Sequence, residues 1–200
     1  MKKVVCIAVM AMLGLGSLSA QERSKGEIEV IPFIGYQKSF FNGDYIDRYE
    51  PKTSFTFGLN GDYFFNDRWS LRSGLSYDTM GAAPINGFRN DVELNYLSIP
   101  INANWHFGST RKWSLNFGLS ASFLLSTNKV NPLNFKDEVK PFQAGFSYGI
   151  GYKLKVLESF SILFDAQGLV GITNFNNHPE GEEIELNARS YLGIGGVFVL

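Results

Sequence analysis

The sequence predicts an all-β protein: an eight-stranded, up-and-down, antiparallel transmembrane β-barrel, preceded by a cleaved signal peptide. Three observations carry this. Apolar and polar residues alternate with a period of two through eight segments. Most segments exceed the about five or six residues usual in soluble strands and suit a tilted strand crossing a bilayer, about 9–11 residues. The connections between them alternate between short and long, the rhythm of a barrel with short periplasmic turns and long outer loops. Composition agrees: the 200 residues include 21 Gly, 18 Phe and 9 Tyr, and only 18% are charged. So little charge with so many aromatics excludes disorder. A single cysteine excludes a disulfide framework, and a net charge of −1 leaves no electrostatic footprint for nucleic acid.

Residues 1–20 read as an export signal. Lys2 and Lys3 are followed by an apolar run over 4–15 and by the small residues Gly16, Ser17, Ser19 and Ala20. The run is shorter than the ~20 residues of a membrane-spanning helix. Cys6 lies within it, away from the expected cleavage point after Ala20, so no lipid anchor is expected. The expected mature domain is 21–200, thiol-free and exported through the Sec pathway.

The strands follow in order. Segment 28–40 is ambiguous in phase, because Ile31 and Phe33 compete with Val30 and Ile34. Segment 54–66 puts Phe55, Phe57, Leu59, Tyr63 and Phe65 on one face, with Phe64 as the exception on the other. Segment 69–80 puts Trp69, Leu71, Leu75 and Tyr77 opposite Arg72, Gly74, Ser76 and Asp78. In 95–107 the apolar face is Leu97, Ile99, Ile101, Ala103, Trp105 and Phe107. Segment 113–126 alternates most cleanly, from Trp113 to Leu125 against Ser114, Asn116, Gly118, Ser120 and Ser122. Segments 142–156 and 160–172 repeat the pattern, and 189–200 shows it more weakly through Leu192, Ile194 and Phe198. The short turns are 66–68, 108–112 and 157–159; the long connections are 41–52, 81–93, 127–140 and 173–187.

Register supports the pairing. A three-residue loop at 66–68 sets Tyr63 opposite Leu71 and Asp62 opposite Arg72, so that apolar meets apolar and anion meets cation. The same counting across 157–159 sets Val156 opposite Phe160 and Lys153 diagonal to Asp165.

Alternation alone does not say which face is the lumen. A soluble lipocalin-like barrel would turn the apolar face inward around a ligand. Three features favour the inverted arrangement. The polar face is rich in Gly, Ser and Asn, which suit a narrow interior, and lacks the Lys and Glu of a soluble exterior. Trp69, Trp105 and Trp113 all lie beside short turns, with Tyr63, Phe65, Phe107 and Phe160, as an aromatic girdle at the inner interface. Phe55, Tyr77, Phe123 and Phe142 lie toward the long loops as a second girdle. In lipid, every backbone polar group must find a partner, which closure provides.

Several stretches are similar to the PorT-type outer-membrane β-barrel family (the outer membrane protein beta-barrel domain group). Leu94-Asn95-Tyr96-Leu97-Ser98-Ile99-Pro100 resembles its Y-L-x-I-P strand. Residues 57–81, 118–125 and 168–174 resemble further strands, so the likeness spans nearly the whole mature chain. It implies an outer-membrane location and a barrel, and it brings no catalytic motif. Such barrels commonly end in an aromatic read by the assembly machinery; this chain ends Phe198-Val199-Leu200.

Six charges fall on the predicted inner face: Asp62, Arg72, Asp78, Lys153, Asp165 and Arg189. They read as a salt-bridge plug in preference to a pore, since eight strands enclose little more than their own side chains. An outer-membrane lipid-modifying enzyme, of lipid A deacylase or phospholipase type, would need a Ser with a His base. His178, with Glu180 or Glu182, lies in a long connection with no Ser near it; the nearest, Ser190, lies within the last segment. His106 is at the short-turn end. The acidic cluster Glu180, Glu182, Glu183 and Glu185 lacks the spacing of a calcium loop. The expectation is therefore a non-enzymatic barrel without cofactor or metal, of structural or binding type. Its expected partners are outer-membrane lipid and lipopolysaccharide, the barrel assembly machinery, and an envelope or secretion complex. The lipid-modifying enzyme and the soluble lipocalin-like binder are the alternatives.

Overall fold

A computed structural model describes residues 23–43, 49–84, 92–128, 139–175 and 185–200. The signal segment and His178, Glu180, Glu182 and Glu183 lie outside them. Eight antiparallel strands close into one barrel in chain order: β1 (Ile28–Gly43), β2 (Tyr49–Phe64), β3 (Trp69–Pro84), β4 (Val92–Phe107), β5 (Trp113–Thr127), β6 (Phe142–Lys155), β7 (Phe160–Gly171) and β8 (Glu185–Val199). The seam joins β1 to β8 from Glu29↔Val199 to Gly43↔Glu185, so no edge is left open.

The short turns follow from local chemistry. Asn66 Oδ1 accepts from the backbone N–H of Arg68 (2.9 Å) and of Trp69 (3.0 Å), which closes the β2–β3 turn. Across it Tyr63 pairs with Leu71 and Asp62 with Arg72. In the β4–β5 turn Gly108 takes φ +82°, a conformation glycine adopts without steric cost.

The strands run further outward than the alternation suggests. β1 continues to Gly43 and β2 starts at Tyr49, so pairing takes up both ends of the 41–52 connection. β3 runs to Pro84, and β8 starts at Glu185. The reason is that the inner face turns apolar there, at Met80, Ala82, Val92 and Leu94. The contrast between faces fades while backbone pairing persists.

The phase of β1 is now defined. Glu29, Ile31 and Gln37 are buried inside, while Ile34 and Tyr36 face outward. Ile31 packs with Leu163 and Val197, and the Phe33 ring stacks on Tyr191 at 5.7 Å. Bulky apolar side chains thus fill the lumen beside the polar ones on this strand. Elsewhere glycine lets strands approach: a Cβ on Gly74 would stand 2.7 Å from the Cα of Asn60, its partner on β2.

Candidate functional site: the barrel lumen and its two ends

The lumen is filled by side chains in tiers. In its short-turn half Arg72 (β3) grips Asp62 (β2) with two bonds, Nε to Oδ1 at 2.8 Å and Nη2 to Oδ2 at 2.9 Å. It reaches Asp165 (β7) through Nη1 at 3.3 Å. A planar guanidinium suits this forked geometry. Asn104 donates to Asp62 (3.1 Å), and Gln167 donates to Asp165 (2.7 Å). Above this tier Asp78 accepts from Thr56 (2.7 Å), Ser76 (3.0 Å) and Arg189 Nη2 (3.0 Å). Along one wall Ser147 donates to Asn102 (2.6 Å), which donates to Asn116 (3.0 Å).

All six charges expected inside are placed there, and Lys153 lies diagonal to Asp165 across β6 and β7 as the counting expects, but its ion pair is elsewhere. Lys153 does not turn to Asp165, whose carboxylate is held by Arg72 and Gln167. Its ammonium goes to Glu29 across the lumen. Glu29 also accepts from Arg23 Nε at 3.2 Å. Arg23 comes from the segment before β1. Its guanidinium lies over the Phe64 ring at 4.8 Å and donates to the Arg111 carbonyl. Sequence reasoning missed both Arg23 and Glu29. The signal was in the uncertain strand: only the phase with Glu29 inside also places Gly35, Gln37 and Ser39 there.

Among the described residues the ion-paired lumen groups are four cations, Arg23, Arg72, Lys153 and Arg189, and four anions, Glu29, Asp62, Asp78 and Asp165. Their formal charges cancel. A cavity of about 30 Å3, bordered by Asn60, Arg72, Ser76, Asn102 and Arg189, is on the scale of a water molecule or two.

At the short-turn end the structure pairs His106 with a serine that sequence reasoning did not connect to it. Ser70 Oγ lies 2.9 Å from His106 Nε2, and Phe64 packs on the imidazole at 4.8 Å. Both residues of the pair are 1% exposed. Among the described residues no carboxylate hydrogen-bonds to His106, so no acid orients the ring. The pair is sealed in the barrel floor. Ser190 is on the outward face of β8.

At the long-connection end the lumen is apolar, which alternation did not reveal. Phe41, Met80, Ala82, Val92, Leu94, Tyr96, Val139, Leu169 and Phe175 form one buried cluster. Phe41 packs on Phe175 at 4.8 Å. Asn187 donates to Gln143 (2.8 Å) and to Tyr96 Oη (3.4 Å) at its margin. Among the described residues no group of three or more His, Cys, Asp or Glu could hold a metal ion.

The outer surface is apolar. At the short-turn end Trp69 stacks with Trp105 (6.3 Å), Trp105 with Phe107 (5.0 Å) and Phe107 with Trp113 (6.4 Å). Tyr63–Phe65 and Phe160–Phe198 continue the belt. Toward the other end Tyr36 meets Phe55, Phe57 meets Tyr77, and Phe123 meets Phe142. Two aromatic belts around an apolar wall are the exterior of a membrane barrel.

The chain belongs to the outer membrane protein beta-barrel domain family, whose profile matches residues 19–177. It is an outer-membrane protein. No curated protein matches it. Among solved structures its fold is similar to the N-terminal β-barrel domain of Pseudomonas aeruginosa OprF. The identity there is 13%, over 89% of this chain and 100% of that one, with a TM-score of 0.53. OprG from Pseudomonas aeruginosa is similar at 9% identity, over 91% and 99%, with a TM-score of 0.52. The outer membrane protein AlkL, determined in lipid bilayers, is similar at 11% identity, over 91% and 94%, with a TM-score of 0.55.

Proposed function

We propose that this barrel is a closed structural or binding protein of the outer membrane, without enzymatic activity and without a conducting lumen. It acts through its outer connections or by joining a larger envelope or secretion complex. One observation carries the reading: paired charges fill the lumen, and an apolar cluster lies over them at the outer mouth. A porin interior is wide and watered, whereas eight strands enclose a space that side chains fill.

A lipid-modifying role has little to stand on. The one Ser–His pair among the described residues is buried at the short-turn end, away from outer-leaflet substrates. The PorT-type affiliation belongs to the same proposal. Its carrier is the stretch from Leu94 to Pro100, of which Leu94 and Tyr96 help build the mouth cluster. PorT-type barrels include secretion-system components, so a complex partner is the natural candidate.

Conductance in planar bilayers, together with release of fatty acid from phospholipid and lipid A in detergent, tests the reading. We expect neither unitary current steps nor product. Either one would overturn it.

A further inference from the structure

The outward wall carries a groove beyond the ion-paired lumen. Its volume is about 630 Å3. Its floor is low because Ala166 and Ser190 are small; the Tyr148 ring lies over Gly168 at one side, and Tyr36 stands at the other. Paired positions carry it across four strands, Lys38↔Ser190, Ser190↔Gly168 and Gly168↔Tyr148.

The groove slopes through the membrane. Its upper end is Lys38, one outward position beyond Tyr36, whose ring packs edge-on against Phe55 of the outer belt at 5.7 Å. Its lower end is Leu115, the outward neighbour of Trp113 in the inner belt. Lys38 is the one charged residue lining it. It is exposed, and it forms no ion pair among the described residues. A lysine on a lipid-facing wall holds its ammonium at headgroup level, where an anion is its natural partner.

We infer that this groove seats one acyl chain of a phosphorylated outer-leaflet glycolipid of the lipid A type, whose phosphate pairs with Lys38. Charge and shape point the same way: the cation stands at the headgroup end, and the apolar trough descends from it into the hydrocarbon. A phosphate-bearing lipid satisfies both ends, whereas a zwitterionic lipid brings a competing cation to Lys38.

Native mass spectrometry of the full protein, released from nanodiscs holding equal amounts of lipid A and phosphatidylcholine, tests this. Wild type is expected to retain lipid A preferentially. Lys38→Gln is expected to lower the lipid A adduct about fivefold, the factor one lysine supplies near an anionic surface, with the phosphatidylcholine adduct unchanged. Ala166→Phe, which fills the floor, is expected to lower both adducts. A heat-induced shift on unboiled gels verifies that each variant is folded. Equal retention of the two lipids by wild type, an unchanged lipid A adduct in folded Lys38→Gln, or unchanged adducts in folded Ala166→Phe would each overturn the assignment.

Discussion

Glu29 is the residue on which the floor of the barrel turns. It is fully buried and answers both Arg23 and Lys153. Glu29→Gln would leave two buried cations facing an uncharged amide. Stranding a buried charge costs about 3–5 kcal/mol, so the urea midpoint in detergent should fall clearly. Asp67→Asn is the contrast. Asp67 pairs with Arg111 at 3.1 Å, with its side chain 41% exposed, and such a pair contributes about 0–1 kcal/mol. Equal losses in the two variants would overturn the distinction between floor and rim. The two ion pairs also differ in how readable they were. Asp62 and Arg72 lie opposite each other across one tight hairpin, so counting residues finds them. Glu29 meets Lys153 across the lumen, a distance set by closure of the whole barrel and by no local spacing.

Alternation identifies a strand by the difference between its two faces, so it works only where those faces differ. It therefore served the middle of β5, with Leu115, Phe117 and Leu119 outward against Ser114, Asn116 and Ser120 inward. It failed at the outer ends of β3 and β4, where Met80, Ala82, Val92 and Leu94 make the inner face apolar too. It left β1 undecided, because Ile31 and Phe33 fill the lumen as bulky apolar groups. Glycine sets a different limit at the same scale. At Gly74 a side chain would press on the backbone of Asn60, where the close approach is to main chain and cannot be relieved by a rotamer change. Gly74→Val should therefore hinder pairing of β2 with β3 and abolish the heat-modifiable band on unboiled gels. A folded band at wild-type yield would show that the two strands can part without cost.

For the whole molecule, closure and tiered filling are the governing facts. The polar tiers and the apolar mouth close the lumen in series, so opening one leaves the other. Leu94→Ala, which removes bulk from the mouth, should cost about 2–5 kcal/mol by analogy with other buried leucines and still give no current steps in a planar bilayer. Steps from that single variant would show that the charge tiers do not seal. Fold, compartment and inner charges could be read in the sequence because period-two patterning and low charge are properties of the chain as written. The mouth cluster and the Ser70–His106 pair could not: β3 and β4 are joined by a long connection whose length does not set their register, and the cluster adds Phe41, Val139 and Phe175 from distant parts of the chain.

The seam between β1 and β8 has one more consequence. Leu200 donates its backbone N–H to the Ile28 carbonyl at 3.0 Å, so the two ends of the barrel chain meet on one rim. The order of strands around the barrel is thus cyclic, and the choice of which strand comes first is free in principle. A circular permutant joining Leu200 to the segment before Ile28 by a short linker, with new ends placed within 85–91, should still fold to a heat-modifiable barrel. If it does not, the natural order of synthesis matters to assembly beyond the contacts of the finished molecule.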